Sequence, residues 1–316
     1  MLSDTRSVEE FVAAYQAVSG QSKIYSETAE TIILASALSG RPVDELAASY
    51  RDALDQSKIF ADTAEAIVLA SALSGRSVEE LVADYQKALG QSDIFADTAE
   101  KIVLASALSG RSIEEFVADY QKALGQSDIF ADTAETIILA LALSGRSIDQ
   151  LAASYRDALS QSKIFADAAE TIVLASALSG RSVEELATSY RGTLGQSNIF
   201  ADSAKMIVLA SALSGRSVDK LAASYRDALG ESKIFPSTAK TIVLASALSG
   251  RSVEELAASY RDALGQSRIF AGTAETIILA SALSGTSASK GGVISIFLME
   301  KKTEKAMRRR KRRHRH

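Results

Sequence analysis

Residues 41–75 read RPVDELAASYRDALDQSKIFADTAEAIVLASALSG, and near-copies of this unit begin at Arg6, Arg41, Arg76, Arg111, Arg146, Arg181, Arg216 and Arg251. Each copy is 35 residues long and ends in glycine, from Gly40 to Gly285, with no insertion or deletion. A fixed period of this size is the signature of a stacked repeat array. The 316 residues therefore divide into a repeat region, residues 1–285, and a non-repeat tail, residues 286–316.

Each unit holds two helix patterns. In the third, Ser77 and Glu80 form a capping box ahead of Val78, Leu81, Val82, Tyr85 and Leu89, which fall on one helical face. This predicts a helix over 78–89, with Gly90 as a cap accepting positive φ. Pro42 suits the same helix start in its unit. The second helix contains IVLASAL (Ile102–Leu108), apolar or small on every side and so covered on both faces. Asp97 with Glu100 reads as its N-terminal box, and Ser109-Gly110 ends it. Pro236 marks a break or helix start after Phe235. No strand-like alternation occurs. Neither helix is long enough to be stable alone, so stacking supplies the burial. The expected fold is all-α: an α-solenoid of eight tandem 35-residue helix-turn-helix repeats, forming an elongated curved superhelix.

The motif Leu46-Ala47-x-x-Tyr50, echoed in most units, and a period near the 34 residues of that family resemble tetratricopeptide-like helical-hairpin repeats. The second helix lacks that family's Ala/Phe/Pro pattern. The resemblance implies a groove that holds peptide segments or partner helices.

Composition excludes several kinds of chemistry. The chain has no Cys, so it carries no disulfide framework and no thiol nucleophile. Its two histidines, His314 and His316, are confined to the last three residues, which removes the usual general base from the repeats. No phosphate loop, zinc motif or dinucleotide fingerprint occurs. No catalytic residue, metal ligand or cofactor is assigned, and the protein is expected not to be an enzyme. The repeated Asp/Glu pairs read as helix-start residues and Ser57 with its equivalents as turn residues. The tyrosines Tyr15, Tyr50, Tyr85, Tyr120, Tyr155, Tyr190, Tyr225 and Tyr260 fall in the apolar register and read as core. The ladder of Tyr25 and Phe60 to Phe270 reads as core more firmly still.

Charge exchanges between copies. Asp52, Asp157, Asp227 and Asp262 are followed six residues later by Lys58, Lys163, Lys233 and Arg268, whereas Lys87 and Lys122 are followed by Asp93 and Asp128. The exchange predicts six intra-repeat charge pairs, and it counts against a code that reads one base per repeat.

The tail differs in kind. Val293–Met299 reads VISIFLM, too short to span a bilayer, and residues 301–316 hold ten Lys/Arg against one Glu, a net of +9. The whole chain is −4, so residues 1–300 carry −13. Arg308, Arg309, Arg310, Lys311, Arg312, Arg313 and Arg315 form a targeting or polyanion-binding cluster. The expectation is a non-enzymatic protein–protein interaction scaffold presenting an acidic repeat surface to a basic or helical partner. The alternative is a nucleic-acid-associated or nucleus-targeted protein anchored through the tail. No small-molecule substrate is expected. The start MLSDTRSVEE has no apolar signal segment, so an intracellular location is expected, cytoplasmic or nuclear.

Overall fold

The computed structural model describes residues 6–284, which form sixteen helices and no strand. The first helices of the units are α1 (Val8–Ser19), α3 (Val43–Leu54), α5 (Val78–Leu89), α7 (Ile113–Leu124), α9 (Ile148–Ser160), α11 (Val183–Leu194), α13 (Val218–Gly230) and α15 (Val253–Leu264). The second helices are α2 (Ser26–Ser39), α4 (Ala61–Ser74), α6 (Ala96–Ser109), α8 (Ala131–Ser144), α10 (Ala166–Ser179), α12 (Ala201–Ser214), α14 (Pro236–Ser249) and α16 (Ala271–Leu283). The tandem helical-hairpin architecture expected from the period is present.

The helix ends depart from the sequence expectation in two places. Ser77 caps α5 through the Glu80 N–H, as the spacing predicts, but Gly90 lies at φ −75°. The left-handed residue comes three positions later, at Asp93 (φ 63°), and the other units place Lys23, Lys58, Asp128, Lys163, Asn198, Lys233 and Arg268 there in the same conformation. Nor is Asp97 a cap. Phe95 holds that position, without a side-chain bond, and α6 starts at Ala96. Pro236 opens α14 at its first turn, where a missing N–H costs nothing. The unit-ending glycines from Gly40 to Gly250 are left-handed caps, as Ser109-Gly110 foretold.

The second helices pack most closely on one another, each against the second helices of the units before and after, and the first helices form an outer layer. Alanine at positions 35, 70, 105, 140, 175, 210, 245 and 280 is wholly buried. Small side chains of this kind let inner helices approach closely. Outer helices bury one face through Leu46, Ala47, Tyr50 and Ala53 and their equivalents.

The array is not open. Helix α16 packs on α2 as α2 packs on α4, and α1 meets α15 and α16 as any outer helix meets the preceding unit. The stack curves by one eighth of a turn per unit and closes into a ring, which corrects the expected elongated superhelix. The physical reason lies at the seam. Within the array, the Arg41 backbone N–H donates to Ser39 Oγ (3.2 Å) and the Arg41 carbonyl accepts from Ser36 Oγ (2.6 Å). At the seam, the Arg6 N–H donates to Ser284 Oγ (3.1 Å) and the Arg6 carbonyl accepts from Ser281 Oγ (3.4 Å). Arg6 thus occupies the place of a ninth unit's first residue. Likewise Gln86 Nε2 donates to the Ser57 carbonyl (3.2 Å), and Gln16 Nε2 makes the same bond to Ser267 (3.0 Å).

Candidate functional site

Closure turns sequence periodicity into rings of equivalent side chains, and one set fixes the register. Thr28 Oγ1 donates to Glu65 Oε1 on the next inner helix (2.9 Å), as do Thr63 to Glu100 (2.8 Å), Thr98 to Glu135 (3.0 Å), Thr133 to Glu170 (2.9 Å) and Thr238 to Glu275 (2.6 Å). Thr273 donates to Glu30 (2.7 Å) and completes the circle. These glutamates, read from the sequence as helix-start residues, are latches between repeats. Two links differ together. Lys205 replaces the glutamate where Ala168 replaces the threonine, and Lys240 faces the unit of Ser203. Ser203 instead donates to the Tyr225 hydroxyl (2.7 Å). The joint change was a readable signal of contact between helices.

The latch also orients each inner helix. In α4, Thr63 faces the following helix and Glu65 the preceding one, while Ala64, Ile67, Val68 and Ser71 are buried on the side of the outer layer. Ser71 receives a bond there from Arg41 (3.0 Å). The helical wheel leaves Asp62, Ala66, Leu69 and Leu73 toward the ring axis. The equivalents Leu34, Leu69, Leu104, Leu139, Leu174, Leu209, Leu244 and Leu279 are at most 6% exposed. Eight inner helices spaced roughly 8–10 Å apart have axes roughly 10–13 Å from the centre.

Two faces remain. On the face where the inner helices begin, Tyr25, Phe60, Phe95, Phe130, Phe165, Phe200, Phe235 and Phe270 are 67–77% exposed. This overturns the expectation that they are core. Each follows a buried isoleucine, such as Ile59 before Phe60. In the extended turn leading to the inner helix only one of two successive side chains faces inward, and isoleucine takes that place. The tyrosine ladder is core as expected, at most 3% exposed. Burial pushes the hydroxyls of Tyr50, Tyr85, Tyr120, Tyr155 and Tyr190 above the usual tyrosine range.

On the crown face lie the carboxylates of Glu27, Asp62, Asp97, Asp132, Asp167 and Asp202, all exposed. Lys205 reaches Asp202 (2.9 Å) and holds its carboxyl below the usual range. The result is a set of acidic side chains on the face that carries the aromatic crown. Among the described residues no group of three or more acidic, His or Cys side chains is placed to hold a metal ion. A separate open cleft of about 400 Å³ lies outside, between α3 and α5, lined by Arg41, Ser71 and Arg76, but its arginines are engaged with Glu45, Ser71 and Asp84.

None of the six intra-repeat charge pairs is among the ion pairs of the described residues. Lys87 is paired with Glu114, and Lys122 with Asp149 (2.8 Å), both on the next outer helix. Lys23 reaches Asp55 of the next unit (2.6 Å). Lys23, Lys87 and Lys122 thus bridge neighbouring units. The basic cluster Arg308–Arg315 lies outside the described residues, as does the apolar segment Val293–Met299.

No protein-family model matches the chain, and no curated protein matches it in sequence. No helix among the described residues is long and apolar enough to cross a membrane.

Proposed function

We propose that this protein is a non-enzymatic, intracellular protein–protein interaction scaffold whose working surface is the aromatic crown, and that its partner is a basic, apolar-rich peptide segment. The observation that supports this reading is the eightfold ring of exposed aromatics on the same face as the six carboxylates. Exposed aromatic patches rimmed by polar groups are uncommon on surfaces with nothing to bind, and aromatics dominate the energetics of protein interfaces. The carboxylates add attraction for cations and orient them, more than they add affinity. A site of this kind selects by composition and not by one residue at a time, because every unit offers the same side chains.

The test is binding of labelled peptides to the full chain, comparing basic–apolar, acidic–apolar and basic–polar sequences by fluorescence anisotropy. The basic–apolar peptide binds most tightly. Replacing the eight crown aromatics by serine weakens it about tenfold or more, and so does neutralising the six carboxylates as Asp→Asn and Glu27→Gln at low salt. Binding that ignores both sets of changes would overturn the reading.

A further inference from the structure

We propose that, with no peptide bound, two copies of this ring pair crown to crown, so that pairing and peptide binding compete for one surface. This inference rests on the reading of the crown as the working surface and adds how that surface is regulated.

Three observations carry it. The first is area. The crown aromatics are 67–77% exposed, and at roughly 200 Å² for a whole aromatic side chain the eight present on the order of 1,100 Å² per ring. The largest apolar patch on a typical monomer is roughly 300–600 Å². Two crowns that cover about two thirds of each other bury about 1,500 Å², within the roughly 1,200–2,000 Å² of a stable protein–protein contact.

The second is spacing. Each aromatic stands one residue ahead of its inner helix, so neighbours in the crown share the inner-helix separation of roughly 8–10 Å. Aromatic rings attract at centroid distances of about 4.5–7 Å. Neighbours within one crown are therefore too far apart to pack on one another, and they remain exposed. A facing crown turned by half a unit puts one aromatic in each gap, roughly 4–5 Å to either side. A second copy matches all eight gaps at once, because it carries the same crown.

The third is charge. Two residues before each aromatic comes the left-handed turn residue, exposed in every unit. Units three and four place Asp93 and Asp128 there, and units seven and eight, diametrically opposite, place Lys233 and Arg268. These four side chains take no part in the ion pairs among the described residues. A two-fold axis in the plane of the ring, at right angles to the line joining the two sectors, sets each sector of one copy against the opposite sector of the other. The axis itself crosses the first two units, where Lys23 is already held by Asp55. Opposite charges fix the register and suppress wrong ones. Pairing draws on none of the carboxylates of the inner helices, four of which are already engaged. A contact of this kind uses the same surface on both copies, so it closes at two rings and does not propagate.

The experiment is sedimentation velocity. Without peptide, the full chain passes from single rings to pairs as its concentration rises, and no larger species forms. With the crown aromatics changed to serine, at positions already exposed, it stays a single ring, and circular dichroism melts confirm that it folds. Asp93→Lys with Asp128→Lys weakens pairing about tenfold or more at low salt, as does Lys233→Asp with Arg268→Asp, and all four changes in one chain restore it. The backbone accepts each of them, since lysine and aspartate hold this turn in other units at the same φ. The basic–apolar peptide converts pairs into single rings. A chain lacking residues 286–316, whose ring contacts, including the seam, are made by residues 6–284, pairs as the full chain does. Pairing that survives the serine changes overturns the proposal, since another face is then responsible. So does pairing seen only after the tail is removed, since the crown is then covered by its own chain. So does a peptide that binds without dissolving the pairs. Rings that stay single at every concentration, while the peptide still binds in a crown-dependent way, sink this inference alone. Peptide binding that ignores the crown changes sinks the reading beneath it, and the competition with it.

Discussion

At the residue scale, two aromatic ladders with the same spacing have opposite fates. Tyr85 stands in the apolar register of an outer helix, so its ring is buried whatever the tertiary arrangement. Phe95 follows Ile94 in a turn, and the two compete for one inward place. Periodicity reports that both recur but not which way each faces. The buried tyrosines have a pH consequence. Desolvation raises the folded-state values of Tyr50, Tyr85, Tyr120, Tyr155 and Tyr190. Deprotonation therefore favours the unfolded chain. Their contribution is intact below the unfolded value, about 10, and is lost as the pH rises from there through the folded values. Denaturant melts across this range should show stability falling above about pH 10, with tyrosinate absorbance appearing together with unfolding. Tyrosinate forming fully in a still-helical protein would contradict the burial.

Helix ends decide the element scale. Sequence supplies two glycines per unit in most copies and invites the same reading of both, yet only one needs to be glycine. Gly75 holds φ 72°, whereas Gly90 is right-handed with ordinary van der Waals room for a Cβ. Gly90→Ala should stabilise the fold by roughly 0.4–1 kcal/mol, by restricting the unfolded chain. Gly75→Ala should cost about 1–2 kcal/mol, the left-handed penalty for an L-residue. Urea melts of the two variants check the opposite signs. The start of the outer helices was legible because Ser77 and Glu80 are local partners. The start of the inner helices was not, because Asp97 resembles a cap while Phe95 holds the position through its backbone alone.

For the whole molecule, the decisive contact is between residues far apart in the chain. Thr273 and Glu30 belong to the last and first units. In an open superhelix Thr273 would have no partner on a following helix. Thr273→Val should therefore destabilise the ring as much as Thr98→Val, by about 1–2 kcal/mol each, since both leave a carboxylate short of a donor. A neutral Thr273→Val beside a costly Thr98→Val would mean an open array. Closure also makes the starting point arbitrary. Joining Gly285 directly to Arg6 reproduces every other unit boundary, so a circular permutant beginning at Arg146 should melt within a few degrees of the 6–285 ring. Small-angle scattering should give both the same compact profile, and a permutant that is extended or unfolded would contradict the seam.

The sequence by itself determined the unit, its two helices, the buried tyrosine face and the contrast between an acidic body and a basic tail. These follow from spacings within 35 residues, where helical periodicity and capping act locally. The threonine–glutamate latch was not read from the sequence, where those glutamates pass for helix-start residues, although the joint change at Ala168 and Lys205 carried its signal. Only the tertiary structure decided that eight units make a ring, because the turn per unit depends on how closely inner helices approach, and no single unit contains that angle. Closure then gathered on one face the eight aromatics that the linear chain holds 35 residues apart.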